Sequence, residues 1–177
     1  MKNHHLLLIR FSALGDVAMT VPVIRSLYHT YPDLKITFVS RPYVAPLFAE
    51  FDNFDFYPTD FKNRHSGIKG LWTLFQELKK IPFSGVADLH GVLRTHLLGV
   101  FFRINGHRFV TIDKVRSEKK ALIRKKSKKF QPLTPSVYRY ADVFRKLGAP
   151  VALEQPEFPE KNEIPKQLLT LFQNSEK

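Results

Sequence analysis

The chain of 177 residues contains no cysteine, which excludes disulfides and thiolate chemistry, so the fold must depend on its hydrophobic core. Long apolar runs are also missing, because the longest one after the N-terminal region, residues 97–102, is far too short to cross a bilayer. Residues 1–5 lack the pattern of a secretory signal. Together these absences predict a cytoplasmic protein.

Common ligand-binding spacings are absent as well. The seven histidines form neither an H-x-x-x-H pair nor a cluster with carboxylates, so the sequence predicts no metal site. It contains neither G-x-G-x-x-G nor a phosphate-binding P-loop. A small nucleotide-binding α/β protein is therefore a weaker hypothesis, although these absences leave it open.

Acidic residues are scarce in one part of the chain. The formal net charge is +12, and residues 114–129 contain nine Lys or Arg but a single acid, Glu118. We call residues 114–129 the basic segment. Such a concentration of charge suggests an anionic partner, which is a nucleic acid, a membrane surface or a phosphorylated sugar. The simpler interpretation is a solvated surface helix or loop.

Hydrophobic residues make up 44% of the chain, and they alternate between two periodicities. Apolar or β-branched runs predict parallel strands, and spacings of three and four residues predict helices. We therefore expect an α/β fold, a doubly wound parallel sheet of Rossmann-like type. The strands are predicted at residues 6–9, 35–40, 54–57, 83–89 and 106–112, and the main helices at 17–31, 69–80, 92–102 and 137–147. Residues 42–48 predict a further short helix.

The domain organisation follows from where this alternation ends. Residues 1–149 are expected to form one domain. Residues 150–177 are predicted to be a linker and tail, because residues 150–165 contain four prolines and four glutamates. A short helix is expected at 166–172.

Polar residues follow two of the predicted strands directly. Gly15 and Asp16 come after the first strand, and His90 comes at the end of the fourth, so we expect them at the carboxyl edge of the sheet, where open α/β folds bind ligands. From spacing alone, the simpler interpretation is that Gly15 makes a turn and Asp16 caps a helix. The His90 ring either packs within the protein near the strand end or contacts a ligand. Arg94 offers a guanidinium fork that matches phosphate or carboxylate oxygens.

Three stretches of the sequence carry a resemblance to one enzyme family. They read R-F-S-A-L-G-D-V-A-M-T-V-P-V-I-R-S-L at residues 10–27, D-L-H-G-V-L-R-T at 88–95 and R-Y-A-D-V-F-R-K-L-G at 139–148. In this order they resemble the ADP-heptose:lipopolysaccharide heptosyltransferases, inverting enzymes of glycosyltransferase family nine. The resemblance spans residues 10–148, which correspond to the first half of a typical member.

This resemblance implies a fold and an incomplete enzyme. Residues 1–149 would be the N-terminal, acceptor-binding domain of a GT-B type glycosyltransferase. The second GT-B domain, which supplies most of the ADP-sugar site in the family, is then absent from these 177 residues. We therefore expect no heptose transfer by the chain alone, and a separate C-terminal domain is a candidate partner.

The resemblance also implies roles for individual residues. Asp16 would be the catalytic base. The acceptor would be the anionic Kdo and lipid A inner core, with ADP-heptose as co-substrate and neither a metal nor another cofactor. The residues expected to bind this acceptor are Ser12, Gly15, His90, Arg94, Lys119, Lys120 and Arg124. Arg139 and Tyr140 match an R-Y pair of the family, and structural roles are favoured for both. Contact with the inner face of the inner membrane would fit such an acceptor.

An alternative from a different class is a non-catalytic module that binds anionic lipid or nucleic acid through the basic segment. Nucleic acid is the weaker of these two partners, because the segment contains no aromatic side chain on which bases could stack.

Overall fold

A computed structural model of the chain describes residues 5–115, 122 and 132–153. Three of the predicted acceptor-binding residues lie outside the described residues, namely Lys119, Lys120 and Arg124. So do most of the predicted linker and all of the tail.

Five parallel strands form one sheet, as the sequence predicted, and their order in the sheet is β3-β2-β1-β4-β5. The strands are β1 His5–Ile9, β2 Lys35–Ser40, β3 Phe54–Pro58, β4 Gly85–Asp88 and β5 Phe109–Thr111. The first strand of the chain is therefore the centre of the sheet. Its burial on both faces explains the unbroken apolar run at residues 6–9.

Helices cover both faces of this sheet. They are α1 Leu14–Ala18, α2 Val21–Thr30, a 3-10 helix Pro42–Phe48, α3 Gly67–Leu78, α4 Leu93–Ile104 and α5 Ser136–Leu147. Two predicted strands are shorter than expected, because the regular ladder covers only Gly85–Asp88 and Phe109–Thr111. Within the described residues, no helix is both long enough and apolar enough to span a membrane.

The predicted helix at residues 17–31 is divided into α1 and α2. The break falls at Met19 and Thr20, and Pro22 lies in the first turn of α2. Proline is favoured there because the first N–H groups of a helix have no partner within the helix. The prediction that α3 begins near residue 69 was also late, since the carbonyl of Ser66 already accepts a hydrogen bond from the Gly70 N–H, 3.0 Å.

The core has two layers, one on each side of the sheet. Leu6 and Leu8 pack with α1, α2, the 3-10 helix and α5, whereas Leu7 and Ile9 pack with α3 and α4. This alternation follows from the period of two along a strand. α5 ends where the sequence predicted, because Gly148 adopts a left-handed conformation with φ of 90°.

Candidate active site

The turn between β1 and α1 joins a buried cation to an exposed acid. The Arg10 guanidinium lies 2.6 Å from the Asp16 carboxylate, measured from Nη2 to Oδ2. The side chain of Arg10 is only 8% exposed, whereas that of Asp16 is 52% exposed. One partner of this ion pair is thus fixed inside the protein, and the other is open to a ligand.

Three separate parts of the fold hold the Arg10 guanidinium. It donates a hydrogen bond to the carbonyl of Leu89, which follows β4. Its central carbon lies 5.5 Å from the ring centroid of Tyr140 on α5, which is a cation–π distance. The third contact is the carboxylate of Asp16. Arg10, which follows β1, therefore connects this strand to the end of β4 and to α5, next to Asp16.

Tyr140 also fixes the backbone of the same turn. Its hydroxyl donates a hydrogen bond to the carbonyl oxygen of Asp16, 3.2 Å. Burial raises the pKa of Tyr140, and this effect outweighs the nearby Arg10 charge, which acts to lower the pKa. The hydroxyl remains protonated near neutral pH and can donate.

An open cavity of about 400 Å³ lies beside this turn. Its lining includes three cations and one acid, which are Arg10, Lys114, Arg139 and Asp16. The neutral polar side chains of the lining are those of Ser12, His90, Ser136 and Tyr140. An excess of cations over acids in a concave site attracts anionic ligands.

His90 enters the cavity from the turn between β4 and α4. The buried carboxylate of Asp88 shapes this turn, because its Oδ1 accepts hydrogen bonds from the N–H groups of His90 and Gly91, both at 2.9 Å. Burial, followed by the charges of Arg10 and Lys114, lowers the pKa of His90 to about 4. The imidazole is therefore neutral at pH 7. Its Nδ1 has no hydrogen-bond partner among the described residues.

Arg94 lies close to His90 but outside the cavity. The guanidinium carbon of Arg94 lies 4.3 Å from the ring centroid of Phe61, which in turn packs edge-on against Phe11 at 4.6 Å. Phe11 also meets the His90 ring at 5.9 Å. Arg94 thus packs on Phe61 and is not among the residues that line the cavity. Arg94 and Asp16 nevertheless both lie near enough to His90 to influence its pKa, in opposite directions.

The loop that carries Phe61 is anchored by one carboxylate. Glu77 of α3 accepts a hydrogen bond from the hydroxyl of Tyr57 and is paired with Arg64 and His65. The Asp60 N–H donates to His65 Nδ1, 3.0 Å, so the His65 proton lies on Nε2, which donates to Glu77 at 3.0 Å.

The pKa values of this cluster reflect the shared carboxylate. Burial and then the Glu77 contact raise the pKa of Tyr57 to about 12. For Glu77 the effect of burial is upward, but the hydrogen bonds from Tyr57 and His65, with the nearby Arg64 charge, hold the pKa below its usual value. The loop is therefore tied to α3 by an ionised carboxylate near neutral pH.

No family model matches the chain. A sequence relative is the lipopolysaccharide core heptosyltransferase OpsX of Haemophilus influenzae, 26% identical over 95 residues, which are 54% of this chain and 26% of OpsX. A family-nine glycosyltransferase from Veillonella parvula has a similar structure, with TM-score 0.63 and 21% identity. E. coli heptosyltransferase WaaC, solved with ADP-2-deoxy-2-fluoro heptose, gives TM-score 0.62 and 18% identity.

The chain resembles the N-terminal half of a family-nine heptosyltransferase. The similar region covers 98% of this chain and 50% of the Veillonella structure, and 86% of this chain and 51% of WaaC. The chain thus spans about half the length of the solved structures that it matches. The relatives named here give no support to the alternative of a non-catalytic module.

The predicted site residues that lie in the described part of the chain differ in their position relative to the cavity. Asp16, Ser12 and His90 line the cavity together. Gly15 lies in α1, and a Cβ atom added there would meet nothing within 4 Å, so the space beside it is open. Arg94 packs on the Phe61 ring and does not line the cavity.

Two residues that line the cavity had no individual role predicted from the sequence. Arg10 begins the 10–27 stretch, and its position directly after a buried strand is a signal that could have identified it. Lys114 begins the basic segment, and it also follows β5, so it falls at the carboxyl edge like Asp16. Tyr140 is buried, as its structural interpretation expects, and Arg139 lines the cavity.

Proposed function

We propose that this chain forms the acceptor-binding half of an inverting heptosyltransferase, in which Asp16 is the catalytic base. The observation that carries the proposal is the ion pair of Arg10 and Asp16. A half-exposed carboxylate is held at the mouth of a cationic cavity by a guanidinium that is itself buried. A base needs this combination of fixed position and open access.

The proposed reaction transfers a heptose from ADP-heptose to a hydroxyl of the acceptor. The acceptor hydroxyl gives its proton to Asp16 as its oxygen attacks the anomeric carbon. The bond between that carbon and the diphosphate oxygen breaks, and ADP leaves with the electron pair. Because Oδ2 of Asp16 is occupied by Arg10, the proton goes to Oδ1. Attack on the face opposite the leaving group inverts the anomeric configuration.

The acceptor proposed for this cavity is the anionic Kdo and lipid A inner core. Arg10, Lys114 and Arg139 supply the positive charge that such carboxylates and phosphates require. The neutral His90 ring offers a hydrogen bond to a sugar hydroxyl. The Arg94 guanidinium, which packs on the Phe61 ring, would bind an anionic group of the acceptor outside the cavity. The basic segment residues Lys119, Lys120 and Arg124 belong to the same proposal.

The donor site is proposed to lie outside these 177 residues, on a second GT-B domain. ADP-heptose is the co-substrate, with neither a metal nor another cofactor in the proposed reaction. The acceptor is embedded in a bilayer, which would bring the protein to the cytoplasmic face of the inner membrane.

The test joins this chain to the C-terminal half of E. coli WaaC and measures heptose transfer from ADP-heptose to Kdo-lipid A. We expect transfer with inversion at the anomeric carbon. Asp16→Asn should reduce the rate by about 100-fold or more while leaving acceptor binding nearly unchanged. Asp142→Asn, on the outer face of α5, is the matched control and should retain activity. The 177-residue chain assayed alone should bind the acceptor without transferring heptose.

Two outcomes would refute the proposal. One is an Asp16→Asn fusion that retains the wild-type rate. The other is failure of the 177-residue chain to bind the delipidated acceptor saccharide at low salt.

A further inference from the structure

The outward face of α4 is apolar. Leu93, Val100 and Ile104 are 85%, 45% and 79% exposed. They follow one another at spacings of seven and four residues, so they lie on one face of the helix. The opposite face is buried in the core through Leu98 and Phe102. Because the opposite face of α4 is already buried in the core, this exposed apolar stripe is a candidate contact surface.

The neighbouring helix α3 extends this surface. Ile68 and Trp72, one helical turn apart, are 69% and 46% exposed. The Trp72 ring meets Phe101 of α4 edge-on at 5.1 Å, which joins the two helices. We call the surface formed by Ile68, Trp72, Leu93, Val100 and Ile104 the apolar face.

All exposed charged side chains of these two helices and their connection are cations. Of the two acids in residues 67–104, Asp88 is fully buried, and Glu77 is 15% exposed and paired with Arg64. The exposed cations are Lys69, Lys79, Lys80, Arg94 and Arg103. Tryptophan and aliphatic side chains with a fringe of Lys and Arg are typical of surfaces that lie in the interface of an anionic membrane.

We propose that the apolar face docks on an anionic phospholipid bilayer, with α4 lying in the plane of the membrane surface. A second copy of the chain is a poorer occupant, because a two-fold contact would bring the same cations of both copies together. The choice of a membrane over an acidic protein rests on the proposed function, whose acceptor is a lipid. Leu93 follows His90 by three residues, so a docked α4 would hold the cavity close to the lipid surface.

The sequence provides a direct probe, since Trp72 is the only tryptophan in the 177 residues. The full chain is mixed with phosphatidylcholine vesicles, or with vesicles that also contain phosphatidylglycerol. Vesicle flotation then measures binding, and Trp72 fluorescence measures contact of the apolar face. With the anionic vesicles we expect flotation, a blue shift of the emission and quenching by brominated lipid. Vesicles of phosphatidylcholine alone should give much weaker binding.

Substitutions on exposed positions separate the apolar face from the basic segment. Leu93→Gln combined with Ile104→Gln should lower the vesicle partition coefficient by about tenfold or more, since two exposed side chains lose their lipid contact. Tyr43→Gln is the matched control, because Tyr43 is 54% exposed in the 3-10 helix on the other side of the sheet. It should leave binding unchanged.

Three results would overturn the inference. Flotation without a Trp72 shift would mean that the basic segment alone binds the vesicles. A blue shift that depends on protein concentration without vesicles would mean self-association. Equal vesicle binding by the double variant and by wild type would mean that the apolar face does not contact the membrane.

Transfer assays of the fusion with the C-terminal half of WaaC, run with a water-soluble acceptor saccharide, keep the two proposals distinguishable. Vesicle docking by a chain that does not bind the acceptor would support the membrane contact and refute the proposed function. Transfer to the soluble saccharide without vesicle docking would support the proposed function and refute the membrane contact.

Discussion

Arg10 is buried and Asp16 is half exposed, although the two side chains lie 2.6 Å apart. The two partners of this ion pair therefore differ in their exposure to solvent. Removing Asp16 would leave a buried guanidinium with fewer partners, whereas removing Arg10 would leave a carboxylate that water can still reach. The guanidinium thus has a structural role at this turn, and the carboxylate is available for chemistry.

Arg10→Met should lower the free energy of unfolding by about 1–3 kcal/mol, because the carbonyl of Leu89 loses its charged donor and Tyr140 loses its cation. Urea denaturation followed by circular dichroism measures this change. Arg145→Gln is the control, since its pair with Asp142 is largely solvent-exposed, and it should cost under about 1 kcal/mol. Equal losses for the two variants would contradict the structural role of Arg10.

His90 should make the protein less stable in acid. Its pKa is about 4 in the folded protein, against about 6.5 when unfolded. Between these values the unfolded chain binds more protons, so the free energy of unfolding falls as the pH drops from 6.5 towards 4. After allowance for solvent screening, we expect His90 to contribute at most about 2 kcal/mol of this fall.

Comparing His90→Gln with wild type at pH 7 and pH 4.5 by urea denaturation isolates this contribution. The variant should lose less stability than wild type on acidification. His5, whose pKa is also lowered by burial, contributes equally in both proteins. His29→Gln, at an exposed position of α2, should behave like wild type. The same acid loss in wild type and His90→Gln would refute the prediction.

Glu77→Gln should loosen the loop that carries Phe61. The substitution removes the charge that pairs with Arg64 and orients His65, so we expect a loss of about 1–3 kcal/mol in stability. Hydrogen exchange should become faster in residues 60–65, beginning with the His65 N–H that bonds the Asp60 carbonyl at 2.7 Å. Glu50→Gln, whose pair with Arg25 is on the surface, should leave this exchange unchanged.

Parts of the fold that depend on short-range patterns were predictable. The run at residues 6–9 is buried on both faces of β1, and Gly148 ends α5 in a left-handed conformation. Strand ends were less accurate, because Ser84 is a bend and Gly106 lies in a turn with φ of 79°, so the regular ladders begin only at Gly85 and Phe109. Local propensity does not specify where pairing with a neighbour stops.

The site was only partly predictable for a different reason. Asp16 and His90 follow strands that pair in the same sheet, and topology alone brings such residues together. The burial of Arg10 depends on Tyr140, which lies on the last described helix, and no local pattern predicts that contact. Arg94 packs instead on Phe61, a residue of a different loop, and no local pattern predicts that contact either.

The basic segment should strengthen acceptor binding. Replacing Lys119, Lys120 and Arg124 with Gln should weaken binding of a phosphorylated Kdo-lipid A fragment by about tenfold or more at low salt, with a smaller effect at high salt. Asp16→Asn should leave this binding nearly intact. Isothermal titration calorimetry at two salt concentrations measures both effects.

A competition experiment tests the nucleic-acid alternative. Tighter binding of the wild-type chain to single-stranded DNA or RNA than to the Kdo-lipid A fragment, at equal salt, would favour that alternative over the acceptor.

The hydrogen bond from Tyr140 to the carbonyl of Asp16 joins positions 124 residues apart. Closing so long a loop is entropically costly, and contacts of this separation form late in folding. During synthesis, β1 and its turn leave the ribosome long before α5 exists. The turn around Asp16 then acquires its final geometry only when α5 docks, so the site and the last helix should become protected in the same step of refolding.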